Sequence, residues 1–196
     1  IAGKKITTLS PLRLLEIDGP GLADDLFRGY LKQMLVDGLF HGDPHPGNVF
    51  LTDDDRIALL DLGMVGRLTR TFQDNLLRLL LAISEGRGEL AAEAAIKMGE
   101  PKKDFDQHAF TTRITDLVAD NRDAIMSRLN AGMITLEIAK ISADCWFRLP
   151  SEFTMIAKAL MNLDRVVYTL DPTFDPNAII REQSSEILNQ NLLRSV

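Results

Sequence analysis

The sequence predicts a mainly α-helical domain that carries one small β-hairpin, and three observations predict it. Apolar residues recur at three- and four-residue spacing through most of the 196 residues. Glycine and proline interrupt those stretches at intervals that suit ordinary globular helices. One region breaks the pattern: Val49-Phe50-Leu51 and Ile57-Ala58-Leu59-Leu60 are short apolar runs around polar Thr52-Asp53-Asp54-Asp55-Arg56, the signature of two strands and a turn. With 45% hydrophobic residues the chain is long enough to bury a core as one unit, residues 1–196.

Ser10 and Pro11 open a first short helix to about residue 17, as N-cap and first-turn proline, and Asp18-Gly19-Pro20-Gly21 ends it. A second helix covers 23–37. Leu26, Phe27, Tyr30, Leu31, Met34 and Leu35 share one of its faces, and Gly38 is placed to adopt the left-handed conformation after its end. Beyond the hairpin, helices are expected near 71–84, 89–98, 105–128, 135–147, 151–170 and 176–193, separated by Gly86, Gly88, Gly99-Glu100-Pro101, Gly132, Pro150 and Pro172. The methionines, among them Met126, Met133, Met155 and Met161, fall in helical patterns and read as core filler. There is no internal repeat and no low-complexity tract.

The net charge of -6 and pI near 5.1, without a basic stripe, exclude a nucleic-acid surface, because phosphate backbones attract clustered Lys and Arg. The best apolar run, residues 76–83, is broken by Arg78 and falls far short of the roughly 20 residues that span a bilayer, so no transmembrane segment is expected in this chain. A single cysteine, Cys145, excludes an internal disulfide and suits a reducing compartment; beside Trp146 it reads as a small buried hydrophobe. There is no signal peptide, and with Ile1 as its first residue the chain reads as part of a longer protein.

The chemistry is concentrated in His41-Gly42-Asp43-Pro44-His45-Pro46-Gly47-Asn48 and, downstream, Leu60-Asp61-Leu62-Gly63. Antiparallel pairing of the two apolar runs brings Asn48 and Asp61 to the same end of the hairpin. An Asn amide oxygen and one carboxylate are hard donors of the kind Mg2+ accepts alongside phosphate oxygens and water. Asp43 stands five positions before Asn48. Protein-kinase catalytic loops, H-R-D-x-x-x-x-N followed by D-F-G, use this spacing: the first Asp orients or deprotonates the attacking hydroxyl, and the Asn and second Asp hold metal. His41 reads as a structural residue fixing the loop by hydrogen bonds. His45 either orients the loop or reaches phosphates, and Gly63 belongs to the loop supporting Asp61. A second reading has His41, Asp43 and His45 holding zinc from one side of an extended, proline-stiffened segment; Asn48, which zinc does not require, opposes it. Asp53, Asp54 and Asp55 read as a solvated turn rather than a cation site.

The wording of these motifs, with Ala58-Leu59-Leu60-Asp61-Leu62-Gly63-Met64-Val65-Gly66-Arg67-Leu68 continuing the second, resembles the UbiB/AarF family of atypical protein-kinase-like proteins. Gly3-Lys4-Lys5-Ile6-Thr7, Asp37-Gly38-Leu39-Phe40 and Leu170-Asp171-Pro172-Thr173-Phe174-Asp175-Pro176 extend the resemblance over nearly the whole chain. It implies a protein-kinase-like C-terminal lobe, with the N-terminal lobe upstream of Ile1. It also implies ATP or ADP binding with Mg2+, with Asp43 catalytic and Asn48 and Asp61 holding metal and nucleotide. The activity implied is ATPase or small-molecule or lipid kinase, in isoprenoid quinone (ubiquinone-like) biosynthesis. An isoprenoid or lipid-like partner follows, as does membrane association of the full-length protein, on the cytoplasmic side of a bacterial membrane or in a mitochondrion or plastid. Leu62 stands where many kinases carry Phe, and Gly42 where they carry Arg. His-Gly-Asp also opens the loops of aminoglycoside and choline phosphotransferases, which are the runner-up. A nucleotide-binding module without turnover is a third reading.

Overall fold

Capping side chains set where several helices of this chain begin. In the computed structural model, which describes residues 2–121 and 131–194, with side chains through 187 in the last helix, Ser10 Oγ accepts from the Arg13 amide at 3.2 Å and starts α1 (Pro11–Glu16). Asp18 Oδ1 accepts from the Gly21 amide at 3.0 Å and starts α2 (Gly19–Lys32). Asp18-Gly19-Pro20-Gly21 therefore opens a helix as well as closing one, so α2 begins four residues before the expected start. Thr69 caps α3 (Arg70–Ser84); α4 (Gly88–Ile96) follows, and Asp106 caps α5 (Gln107–Asp120). Each such cap contributes about 1 kcal/mol by satisfying amides the helix leaves unpaired. The expected continuation of α5 to residue 128, and Met126 with it, lies outside the described residues. The remaining helices are α6 (Ala131–Asp144), α7 (Ser151–Leu170) and α8 (Pro176–Arg194).

The expected hairpin is present as β3 (Val49–Thr52) and β4 (Ile57–Leu59), in the register Val49↔Leu59, Phe50↔Ala58 and Leu51↔Ile57. β1 (Gly3–Lys5) adds antiparallel to β3, so the hairpin belongs to a three-stranded sheet. β2 (Leu39–His41) pairs with β5 (Val65–Arg67), and β6 (Glu100–Pro101) with β7 (Phe147–Arg148). The turn acids have protein partners. Asp54 accepts from the Thr52 hydroxyl at 2.6 Å and from Arg56 Nε at 2.7 Å, and Asp55 pairs with Arg13.

The core is one continuous cluster, and α7 lies at its centre, packed against α2 and α6. Phe153, Ile156, Leu160, Leu163 and Val166 are fully buried. α6 and α7 approach so closely that a Cβ on Gly132 would lie 2.3 Å from the Met161 amide nitrogen. The methionine expectation fails in part: Met34 is fully buried, but Met133 is 48% exposed, and Met155 and Met161 line a surface cleft. Cys145 is buried as expected, with exposed Trp146 beside it.

One buried carboxyl carries a stability consequence. Asp164, on α7, has both carboxyl oxygens buried, and among the described residues neither has a hydrogen-bond partner within 3.5 Å. Desolvation raises its pKa to about 8, against the opposing influence of the nearby Gly132 backbone. Between about pH 4 and pH 8 the folded chain holds a proton here that the unfolded chain releases. Raising pH through that window therefore costs stability, by up to about 1.4 kcal/mol per pH unit. Asp164→Asn should relieve this, so its unfolding midpoint should exceed the wild type's by a margin that widens from pH 5 to pH 8. A margin independent of pH would show that Asp164 does not hold that proton.

Candidate active site

The end of α2 aims the polar loop 41–48. The residues that follow the helix, Gln33–Asp37, form a π turn, and Gly38 takes a left-handed conformation at φ 69°. π turns displace side chains from regular helical positions and recur near functional sites. Here Gln33 Oε1 accepts from the His41 amide at 3.1 Å, while the Tyr30 hydroxyl donates to the His41 carbonyl at 3.2 Å. Burial holds the Tyr30 pKa well above the usual phenol range, which keeps the hydroxyl a donor. Both backbone groups of His41 are thus fixed by α2 or the turn that ends it.

The His41 ring ties the two polar segments together. Nδ1 accepts from the Asp43 amide at 3.1 Å, so the ring proton sits on Nε2 and is donated to the Leu60 carbonyl at 2.9 Å. Asp43 is thereby fastened to the residue preceding Asp61. Two backbone bonds reinforce the link: Gly42 N to Met64 O and Leu60 N to Asn48 O, each 2.8 Å. A Cβ at Gly42 would meet Met64 Cγ and Met155 Sδ, each at 2.9 Å, so a larger residue there would displace these two methionine side chains.

Asn48 is buried; its Nδ2 donates to the Asp43 carbonyl at 3.1 Å, and its Oδ1 has no hydrogen-bond partner among the described residues. Asp61 lies at the same end of the hairpin, one residue past the Asn48–Leu60 pairing. Its backbone is left-handed, at φ 60°, an uncommon conformation for a non-glycine residue that clusters at functional positions. Its carboxylate is exposed and accepts from the Gly63 amide at 3.2 Å. His45 Nδ1 accepts from the Gly47 amide at 3.0 Å, and its Nε2 stands 3.8 Å from Asp43 Oδ2. With both ring nitrogens of His41 engaged, the zinc reading loses a ligand. Among the described residues no group of three or more His, Cys, Asp or Glu is placed to hold a metal.

One partner of Asp43 escaped the sequence. Asn162 on α7 donates from Nδ2 to Asp43 Oδ1 at 3.2 Å, across 119 positions of chain. The same face of α7 walls a cleft of about 600 Å3 at Asp43, lined also by Met64, Met155, Met161, Lys158 and Arg165. Polar residues at three- and four-residue spacing on α7 were visible, but nothing local connects them to Asp43.

His41→Ala should detach the two segments. It removes both ring hydrogen bonds and strands the Leu60 carbonyl and the Asp43 amide, a cost on the order of 2–4 kcal/mol. Urea unfolding measures it, and a loss below about 0.5 kcal/mol would mean that the strand pairing alone holds the segments.

A helical lobe that presents this loop beside this hairpin is a kinase-like lobe. Residues 1–95 match the ABC1 atypical kinase-like domain. An uncharacterized protein of Synechocystis is 32% identical over 139 residues, covering 71% of this chain and 34% of that protein. The Arabidopsis thaliana protein ACTIVITY OF BC1 COMPLEX KINASE 1, chloroplastic, is 29% identical, covering 81% of this chain and 26% of the relative. For the Arabidopsis ACTIVITY OF BC1 COMPLEX KINASE 7, chloroplastic, the figures are 28%, 96% and 27%. The chain belongs to the UbiB/ABC1 family of atypical kinase-like proteins, and it spans about a quarter to a third of the length of these relatives. No described helix is long and apolar enough to cross a membrane.

Proposed function

We propose that residues 1–196 are the C-terminal lobe of an ATP-dependent enzyme that transfers or hydrolyses the γ-phosphoryl group with Mg2+. The observation that carries this reading is the His41 ring, which fastens Asp43 to the segment bearing Asp61 while Asn48 is bonded to the Asp43 carbonyl. The donor set fits the metal: the Asn48 Oδ1 and Asp61 carboxylate are hard oxygens of the kind Mg2+ accepts, with no thiolate among them. Bound there, Mg2+ would neutralise phosphate charge.

The chain's own residues supply the rest. Asp43, held by Asn162 on Oδ1, keeps Oδ2 for the hydroxyl of the acceptor or water. That hydroxyl oxygen bonds the γ-phosphorus as the bond to the bridging oxygen breaks. ADP leaves with the electron pair, and the hydroxyl proton passes to Asp43 and on to solvent. The family resemblance extends the proposal to isoprenoid quinone or lipid metabolism at a membrane, with an N-terminal lobe closing over the nucleotide. The chloroplastic relatives of Arabidopsis and the relative from Synechocystis favour a plastid or bacterial setting.

The test uses the protein that carries this chain, γ-labelled ATP and Mg2+. Release of labelled phosphate or labelling of an acceptor, abolished by EDTA, is the expected result. Tight nucleotide binding with neither release nor transfer would assign a binding module instead.

A further inference from the structure

We propose that the cleft beside Asp43 is the acceptor subsite and that it takes a small amphipathic anion, with an apolar body and a phosphate or carboxylate head. Its role as acceptor subsite rests on the phosphoryl-transfer reading; its ligand chemistry does not. Lys158, Asn162 and Arg165 follow one another at four- and three-residue spacing and so share a face of α7 over about 10 Å. Asn162, between the two cations, is the residue that holds Asp43. A molecule whose hydroxyl reaches Asp43 therefore lies with Lys158 on one side and Arg165 on the other.

Six of the described arginines, Arg13, Arg28, Arg56, Arg87, Arg113 and Arg181, pair with carboxylates. Lys158 and Arg165 form no ion pair among the described residues, although the sequence carries a net charge of -6. Among the described residues, Asp43 is the one acid lining the cleft. Two unpaired donors at the wall of a concave site favour an acid head, which they can bind by charge-assisted hydrogen bonds. The remaining surface is largely apolar, beside the polar residues Ser151 and Thr154. Met64, Met155 and Met161 supply it, and methionine side chains adapt to irregular aliphatic shapes. At about 600 Å3 the cleft suits a small molecule rather than a folded partner.

The probes are dioctanoyl phosphatidic acid in monomeric form, dioctanoyl phosphatidylcholine as the zwitterionic control and inorganic phosphate as the head alone, each titrated calorimetrically into the protein without nucleotide. Phosphatidic acid should bind at least about tenfold more tightly than either control. Lys158→Gln with Arg165→Gln should remove about tenfold or more of that affinity, as the loss of charge-assisted hydrogen bonds to an acid head requires. Met155→Asp should weaken phosphatidic acid but not phosphate, and unchanged unfolding midpoints would establish that these variants fold.

Equal affinity for phosphate and phosphatidic acid would overturn the proposal, as would equal affinity for the choline lipid or an unaffected double variant. Mg-ADP titrated into the same proteins separates this inference from the nucleotide reading. If the double variant loses Mg-ADP rather than the lipid, the two cations serve the nucleotide and the subsite is wrong. Lipid binding by a protein that binds no Mg-ADP would refute the phosphoryl-transfer reading and leave the anion cleft standing.

Discussion

Asp43→Asn is expected to lower ATP turnover about a hundred- to ten-thousand-fold, while affinity for Mg-nucleotide stays within about threefold of wild type. The asymmetry follows from where Asp43 sits. Its backbone is fixed by the His41 ring and by Asn48, and its Oδ1 by Asn162. Asparagine keeps the shape of the residue and leaves those backbone bonds intact. What is lost is the negative charge that, in the proposed reaction, orients the hydroxyl and receives its proton, a contribution made mainly in the transition state. Steady-state phosphate release together with nucleotide titration separates the two parameters. Unchanged turnover would make Asp43 a structural residue and shift the chemistry to His45, whose Nε2 is 3.8 Å from it.

Asp61→Ala should act on the other parameter. Asp61 is the carboxylate assigned to direct metal contact, and its exposed side chain makes a hydrogen bond to the Gly63 amide at 3.2 Å. Its removal should therefore leave the fold intact and weaken Mg-nucleotide binding about a hundredfold, the usual cost of deleting a group that acts on concentrated phosphate charge. Fluorescent ADP analogues titrated at fixed Mg2+ measure the loss, and the unfolding midpoint checks that the loop survives. Wild-type affinity in this variant would remove the metal assignment.

The fold and the loops of the site were legible in the sequence to different depths, for physical reasons. Long amphipathic helices announce themselves: the buried positions of α2 were read directly from their spacing, and Gly38 does take a left-handed conformation. The β3–β4 hairpin was legible because two apolar runs flank a polar turn. β1, β2, β5, β6 and β7 were not, since strands of two or three residues carry no alternation to detect. The dipeptides around Gly19 and Pro20 misled because the same residues stop one helix and cap the next. Met155 and Met161 fit a core pattern by spacing, yet they face the cleft, because helical periodicity does not say which apolar side will be covered. The polar loop was readable through its local spacing. Asn162, Lys158 and Arg165 reach it only through tertiary packing of α7, and a single sequence holds no record of that contact.

The claim at the centre of this account is that Asn48 and Asp61 form one metal-phosphate site. Calorimetric titration of ADP into the protein that carries this chain, with and without Mg2+, tests it most directly when repeated on Asn48→Ala and Asp61→Ala. The account predicts wild-type binding that Mg2+ strengthens by about tenfold or more, with that Mg2+ dependence abolished in each variant. ADP binding that ignores Mg2+ and is the same in all three proteins would contradict it.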